Sequence, residues 1–136
     1  MLTSSAKAKG RRLQQLVRDR LREIGKDFGL VAGDVNSTGM GQTGVDVLLS
    51  PAAHKVFPFD IECKMRESLV VPTVFYEHYD AYASRATLKL LIHSRNRLPE
   101  PLVTMRLCDF LTIYTALISK GTDEQGNRPP LPTPSV

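Results

Sequence analysis

The run Phe59-Asp60-Ile61-Glu62-Cys63-Lys64-Met65 alternates apolar and charged side chains without a break. Successive residues of an extended strand point to opposite faces, so this run calls for a sheet with Phe59, Ile61 and Cys63 on one side. Asp60, Glu62 and Lys64 then share the other side, with Glu62 and Lys64 about 6 to 7 Å apart along the strand. A face bearing only exposed ion pairs is the plain alternative for any single Glu-x-Lys.

Around this strand the chain reads as alternating elements. Leu13, Leu16, Val17, Leu21, Ile24 and Phe28 recur at three- and four-residue steps, which predicts an amphipathic helix from about Lys7 to Lys26. Gly25 and Gly29 mark its end. The stretch from Gly33 to Gly44 is rich in Gly, Asn, Ser and Thr and reads as a mobile polar loop. Val45–Leu49 and Val56–Met65 read as two strands joined through Ser50, Pro51 and His54 into a hairpin. Pro58 marks an edge or a bulge near the start of the second. A helix over Pro72–Ser84, strands over Leu88–His93 and Leu102–Leu107, and a last helix from Asp109 to Lys120 complete an α/β domain spanning residues 1–120. The tail 121–136, with Pro129, Pro130, Pro132 and Pro134, has too few apolar residues to fold alone and reads as disordered or as an arm that packs on a partner.

Composition narrows the classes. With 136 residues, 42% hydrophobic and 24% charged, the chain has material for one ordinary core and for one domain. Eight basic residues against three acidic ones between Met1 and Leu30 give +5, more than the whole net charge of +4, so positive charge is concentrated at one end. Such an end is suited to phosphates, although a solvated helix face carries the same pattern. Cys63 and Cys108 lie outside any paired spacing, which argues against a zinc site or a disulfide framework and for reduced core thiols. His54, His78 and His93 are scattered and read as surface or packing residues. No run reaches the length of a signal peptide core or a membrane span, so a cytoplasmic protein without membrane contact is expected.

Hydrolysis of a phosphodiester is difficult because the substrate is already anionic and water is a poor nucleophile. A divalent metal held by two carboxylates answers both problems, and Mg²⁺ suits sites of one or two carboxylates plus phosphate oxygens and water. Asp46, just after the glycine-rich loop, is the second carboxylate that a neighbouring strand brings beside Glu62. Lys64 would orient or activate the water and stabilise charge growing on the phosphate.

A basic helix, a Ser/Gly-rich loop, Val45-Asp46 and Glu62-Cys63-Lys64 together resemble the PD-(D/E)XK nuclease superfamily. From Lys9-Gly10 through Ser37-Thr38-Gly39-Met40-Gly41 to Lys64 the chain is most similar to small archaeal-type Holliday junction resolvases, including those carried by viruses. The resemblance implies a restriction-endonuclease-like core with a central mixed β-sheet flanked by helices. It further implies a homodimer that cuts four-way or other branched DNA with Mg²⁺, for which Mn²⁺ can substitute, in the cytoplasm or in the host cytoplasm if viral. Asp46 and Glu62 would be the metal ligands and Asp46, Glu62, Lys64 and Gln14 the catalytic set. Gln14 stands where the family has a helix-1 glutamate, and Val45 where it has a proline. On the helical wheel Gln14 lies at the edge of the apolar face beside Leu21, whereas Gln15 points away. Lys7, Lys9, Arg11, Arg12, Ser37, Thr38 and Arg66 are the candidate DNA contacts. Other nucleases of the superfamily, and a non-catalytic DNA-binding subunit of the same fold, remain open alternatives.

Overall fold

A computed structural model of the chain describes residues 4–38, 44–121 and 125–127. Two compact units make up the chain, Met1–Met105 and Arg106–Val136. The first holds helix α1 (Ser4–Gly25), strands β1 (Val35–Ser37) and β2 (Val47–Leu49), helix α2 (Pro51–Val56), strand β3 (Phe59–Met65), helix α3 (Val71–Ala81) and strands β4 (Leu88–Ser94) and β5 (Leu102–Thr104). The second holds helix α4 (Leu107–Lys120). The α/β class expected from the sequence is observed. Most of the proline-rich tail, including all four of its prolines, lies outside the described residues.

Helix α1 forms where its periodicity places it. Leu13 and Val17 are buried and join Ile61, Cys63 and Leu90 in one core cluster. Its end is made by glycine for two separate reasons. A Cβ on Gly25 would sit 2.9 Å from Leu30 Cδ1, and Gly29 adopts φ +81°, a left-handed conformation that side chains disfavour. The Leu30 N–H closes the turn on the Gly25 carbonyl at 2.9 Å, in the manner of a glycine helix stop.

Strands β3 and β4 pair in parallel, with Asp60 opposite Lys89 and Glu62 opposite Leu91, and β5 adds antiparallel to β4. Ile61 and Cys63 face the α1 side, so by alternation Asp60, Glu62 and Lys64 face the side where α3 packs. The alternation expected for β3 is therefore used on both faces. Pro58 stands just ahead of the strand, where its missing N–H costs no ladder bond, and its carbonyl accepts from Leu88 N–H at 2.9 Å.

Three expectations are corrected. The stretch expected to be loop contains β1, whose buried Val35 and polar Asn36 and Ser37 pair antiparallel with β2. Local turn preference yields there to a tertiary partner, and Arg22 of α1 reinforces it by donating to the Val35 carbonyl at 2.8 Å and to Asn36 Oδ1 at 3.0 Å. Nor do β2 and β3 form a hairpin. Ser50 accepts from Ala53 N–H at 3.0 Å and Pro51 occupies the first helical turn, so Ser50-Pro51 starts α2 instead of a turn. The β1–β2 pair meets the larger sheet through the Asp46 N–H, which donates to the Ile61 carbonyl at 3.1 Å. Both cysteines are free, but only Cys63 is buried and Cys108 is exposed.

Candidate active site

Asp46 precedes β2 at the point where the β1–β2 pair meets β3. Three backbone contacts hold it there. Its N–H donates to Ile61, its carbonyl accepts from Thr38 N–H at 2.9 Å, and its Oδ2 accepts from Cys63 N–H at 2.7 Å. Thr38 is buried, and its hydroxyl donates to the Val45 carbonyl. That hydrogen bond commits the Thr38 hydroxyl to positioning Asp46 instead of leaving it open to a phosphate.

On β3, Lys64 Nζ lies 3.3 Å from Glu62 Oε1, and both side chains are partly exposed. Asp46 docks on the peptide between these two residues. Its carboxyl is pushed up to about 6, first by burial and then by the nearby Glu62 charge, with the Cys63 N–H and Lys64 opposing. Burial, followed by the Asp46 and Glu62 charges, raises the Cys63 thiol, so this cysteine is an inert core group here.

A carboxylate held next to another in a half-buried place is a donor set that a divalent cation would relieve. The residues present thus fit Mg²⁺ or Mn²⁺. Among the described residues no three His, Cys, Asp or Glu side chains close around a common point, so water would supply most of the ion's coordination. One consequence concerns the metal-free protein. Asp46→Asn keeps an acceptor for Cys63 N–H and removes the charge. Because the folded-state value is raised, the carboxyl's contribution to stability is fully present below about pH 4 and is lost as pH rises through about 6. Allowing for solvent screening, the variant should be more stable by on the order of 1 kcal/mol near pH 8 and unchanged near pH 4. Urea unfolding at the two pH values checks this.

Beneath Glu62 lies a group that the sequence pattern alone does not identify. Asp60 is wholly buried, with Arg85 Nη1 2.9 Å from Oδ1, the Thr87 hydroxyl donating to Oδ2, and Lys89 Nζ 3.5 Å from Oδ2. Burial alone would raise the Asp60 carboxyl, but Thr87, Arg85 and Lys89 together hold it below its usual value. Lys89 is 2% exposed and also donates to the carbonyls of Arg85 and Thr87 at 3.1 and 2.8 Å. The lone lysine within the apolar run Leu88–Ile92 is the available sequence clue.

His78 of α3 is buried, its Nε2 3.0 Å from the Asp60 carbonyl and its Nδ1 3.8 Å from Glu62 Oε2. Burial lowers its pKa, so the ring is held neutral. A histidine read from the sequence as a surface or packing residue therefore sits beside Glu62.

The remaining candidates fall into two groups. Gln14 is 8% exposed, inward as the helical wheel indicates, and its Oε1 is buried without a hydrogen-bond partner. Lys7, Arg11, Arg12 and Arg66 are exposed, Lys9 and Ser37 partly so, and Gly39 to Thr43 of the expected phosphate loop lie outside the described residues. A groove of about 340 Å³ alongside α1 is lined by Lys9, Arg12, Arg20, Arg95 and Arg97, together with Met65 at the end of β3. Arg95 and Arg97 escape a sequence-based search because they lie far along the chain from the basic helix they join. No helix among the described residues is long and apolar enough to cross a membrane. Compared with protein families, curated proteins and solved structures, the chain matches none.

Proposed function

We propose that the chain is a metal-dependent nuclease that hydrolyses phosphodiester bonds, with Asp46, Glu62 and Lys64 as its reacting centre. The observation that carries this reading is the docking of the Asp46 carboxylate on the Cys63 N–H, between Glu62 and Lys64. Residues separated by a strand and a helix are thereby gathered into two carboxylates and one ammonium. The element order α1-β1-β2-α2-β3-α3-β4-β5, with helices and strands in alternation, is compatible with a restriction-endonuclease-like core.

In this reading Asp46 and Glu62 hold Mg²⁺, which when bound polarises a phosphate oxygen and lowers the pKa of the attacking water. Cys63 N–H holds the Asp46 carboxylate through Oδ2 beside Glu62. Lys64, restrained by Glu62, stands where an ammonium can orient water and stabilise charge on the phosphate. Glu62 in turn keeps the Lys64 chain from ranging over the surface.

The basic groove supplies the substrate's footing, because contacts to phosphates position a nucleic acid without reading its bases. Arg97 adopts φ 68°, so Arg97→Gly removes the charge and suits the turn. Arg97→Gly, Lys9→Ala and the Arg11/Arg12 double neutralisation should each weaken binding to all DNA substrates. The slope of log affinity against log salt should fall by about 0.9 for each phosphate that is no longer neutralised. Unchanged slopes in fluorescence anisotropy would assign these residues to a solvated face.

The substrate we propose is branched DNA, cut by a homodimer, since paired symmetric cuts need the site twice. Cleavage of a four-way junction beside a matched linear duplex, with Mg²⁺, Mn²⁺ or chelator, tests the reading. Metal-dependent cutting of the junction alone supports a resolvase, and equal cutting of both supports another nuclease of the class. Tight binding without cleavage under either metal would favour a non-catalytic subunit, the alternative to which the uncharged Gln14 points. A monomer mass by light scattering, free and bound to a junction, would overturn the resolvase while leaving the nuclease chemistry standing.

A further inference from the structure

The groove beside α1 differs in character between its bottom and its edge. Leu13 is buried, Met65 and Leu98 are half-buried, and Leu16, 37% exposed, opens onto the same space. Arg12, Arg95 and Arg97 are exposed and, with Lys9, surround this apolar bottom. None of these four cations pairs with a described acidic residue. Arg20, which also lines the groove, is different, because Glu100 neutralises it through a hydrogen bond of 3.1 Å to Nη2 and a second to Nη1.

Arg95 and Arg97 stand on a tight turn after β4. Leu98 N–H donates to the Arg95 carbonyl at 3.3 Å, and Asn96 N–H donates to Glu67 Oε1 at 3.0 Å. Arg97 adopts φ 68°, a left-handed conformation that glycine or asparagine would adopt more easily. Backbone strain of this kind clusters at binding sites. Phosphates account for the cations but not for the bottom, since an anionic oxygen gains nothing from Met65 or Leu98. A paired duplex turns its bases inward and offers mainly phosphates and sugars. An unpaired nucleotide offers both a charge and a flat apolar face, and bases stack on guanidinium planes as well as on aromatic rings. A volume of about 340 Å³ lies at the small end of the range for ligand pockets and suits one nucleotide.

We propose that this groove binds an unpaired nucleotide of a nucleic-acid strand, with its phosphates on Lys9, Arg12, Arg95 and Arg97 and its base against Leu16, Met65 and Leu98. This rests on the nucleic-acid part of the reading above and not on metal or on cleavage. Asn96, which also lines the groove, carries an amide able to donate to and accept from a base edge. Met65 directly follows Lys64 on β3, so the groove and the candidate reacting centre share one strand end. A substrate with unpaired bases, as at a branch point or in a free strand, gains a contact there that paired duplex cannot make.

The test uses the full chain without metal. Fluorescence anisotropy compares a short single DNA strand, an abasic strand with the same number of phosphates, a paired duplex, and that duplex with one bulged nucleotide. The unaltered protein should bind the strand with bases about 5- to 10-fold more tightly than the abasic one, toward the lower end of what stacking one base supplies. Leu16→Gln keeps charge and helix preference at an exposed position, and should cut that preference by about half or more without changing the salt slope. Arg95→Gln should weaken binding to all four and lower the slope. In methionine-labelled protein the Met65 methyl resonance, identified by its loss in Met65→Leu, should move with the strand that has bases and not with the abasic strand. This measurement decides the matter should the Leu16 variant fail to fold. Tighter binding of the bulged than of the paired duplex extends the site to unpaired nucleotides within duplexes, and base-dependent binding confined to the single strand assigns it to free strands. Equal affinity with and without bases, an undiminished preference in folded Leu16→Gln, or an unmoved Met65 resonance overturns the inference. Salt-dependent binding retained in that case would leave the groove as a contact to phosphates alone. No binding to any of the four would remove the nucleic-acid reading as well.

Discussion

Cleavage by Asp46→Asn, Glu62→Gln and Lys64→Ala is expected to fall by about 10²- to 10³-fold each, the loss that follows removal of one preorganised group facing developing charge. Each change spares the scaffold in a different way. Asn at 46 still accepts from Cys63 N–H, which bonds the present carboxylate at 2.7 Å. Gln at 62 keeps the length and polarity of a side chain that is only partly buried, and Lys64 is partly exposed, so its truncation leaves no buried cavity. Affinity for DNA measured without metal should therefore change little while initial rates collapse. Effects of this size would separate a chemical centre from an ion pair on a strand face, because an exposed pair is worth at most about 1 kcal/mol. Full activity in any two of the three variants would sink the assignment.

Asp60→Ala should destabilise the fold by about 3 to 5 kcal/mol, the usual result of removing one partner from a buried ion pair. Lys89, 2% exposed, would be left with a charge that only two carbonyls and the Thr87 hydroxyl help to solvate. Arg85 is half exposed and can turn to water, so it contributes less to the loss. The double variant Asp60→Asn/Lys89→Met removes both charges, and should recover most of the stability, since apolar or neutral replacements of buried pairs are often tolerated. Urea unfolding of the three proteins measures this directly. Equal stability of Asp60→Ala and the unaltered protein would mean that the cluster is solvated in solution. The position of the cluster gives the result a second meaning, because Asp60 precedes Glu62 by one strand repeat and its carbonyl receives His78. Loosening it would loosen the floor of the candidate site.

What the chain determined by itself was local. The three- and four-residue spacing of Leu13, Val17 and Leu21 calls for a helix, and two glycines end it, Gly25 by leaving room for Leu30 and Gly29 by its left-handed backbone. Alternation in Phe59–Met65 puts Glu62 and Lys64 on one face of any strand, and Ser50-Pro51 carries a helix start as well as a turn signal. These features depend on neighbours along the chain, where periodicity and steric preference act over a few residues. Tertiary structure decided the rest. Asn36 and Ser37 become strand only because β2 offers them a ladder, and β2 takes β1 as partner because α2 carries the chain away before β3. Asp46 meets Glu62 through a peptide N–H contributed by Cys63, a contact between segments that no spacing encodes. Asp60 and Lys89 neutralise each other because a parallel register sets them side by side, and His78 faces Glu62 because α3 packs on the charged side of β3. A polar group's role depends on what surrounds it once water is excluded, and those surroundings are assembled from distant parts of the chain.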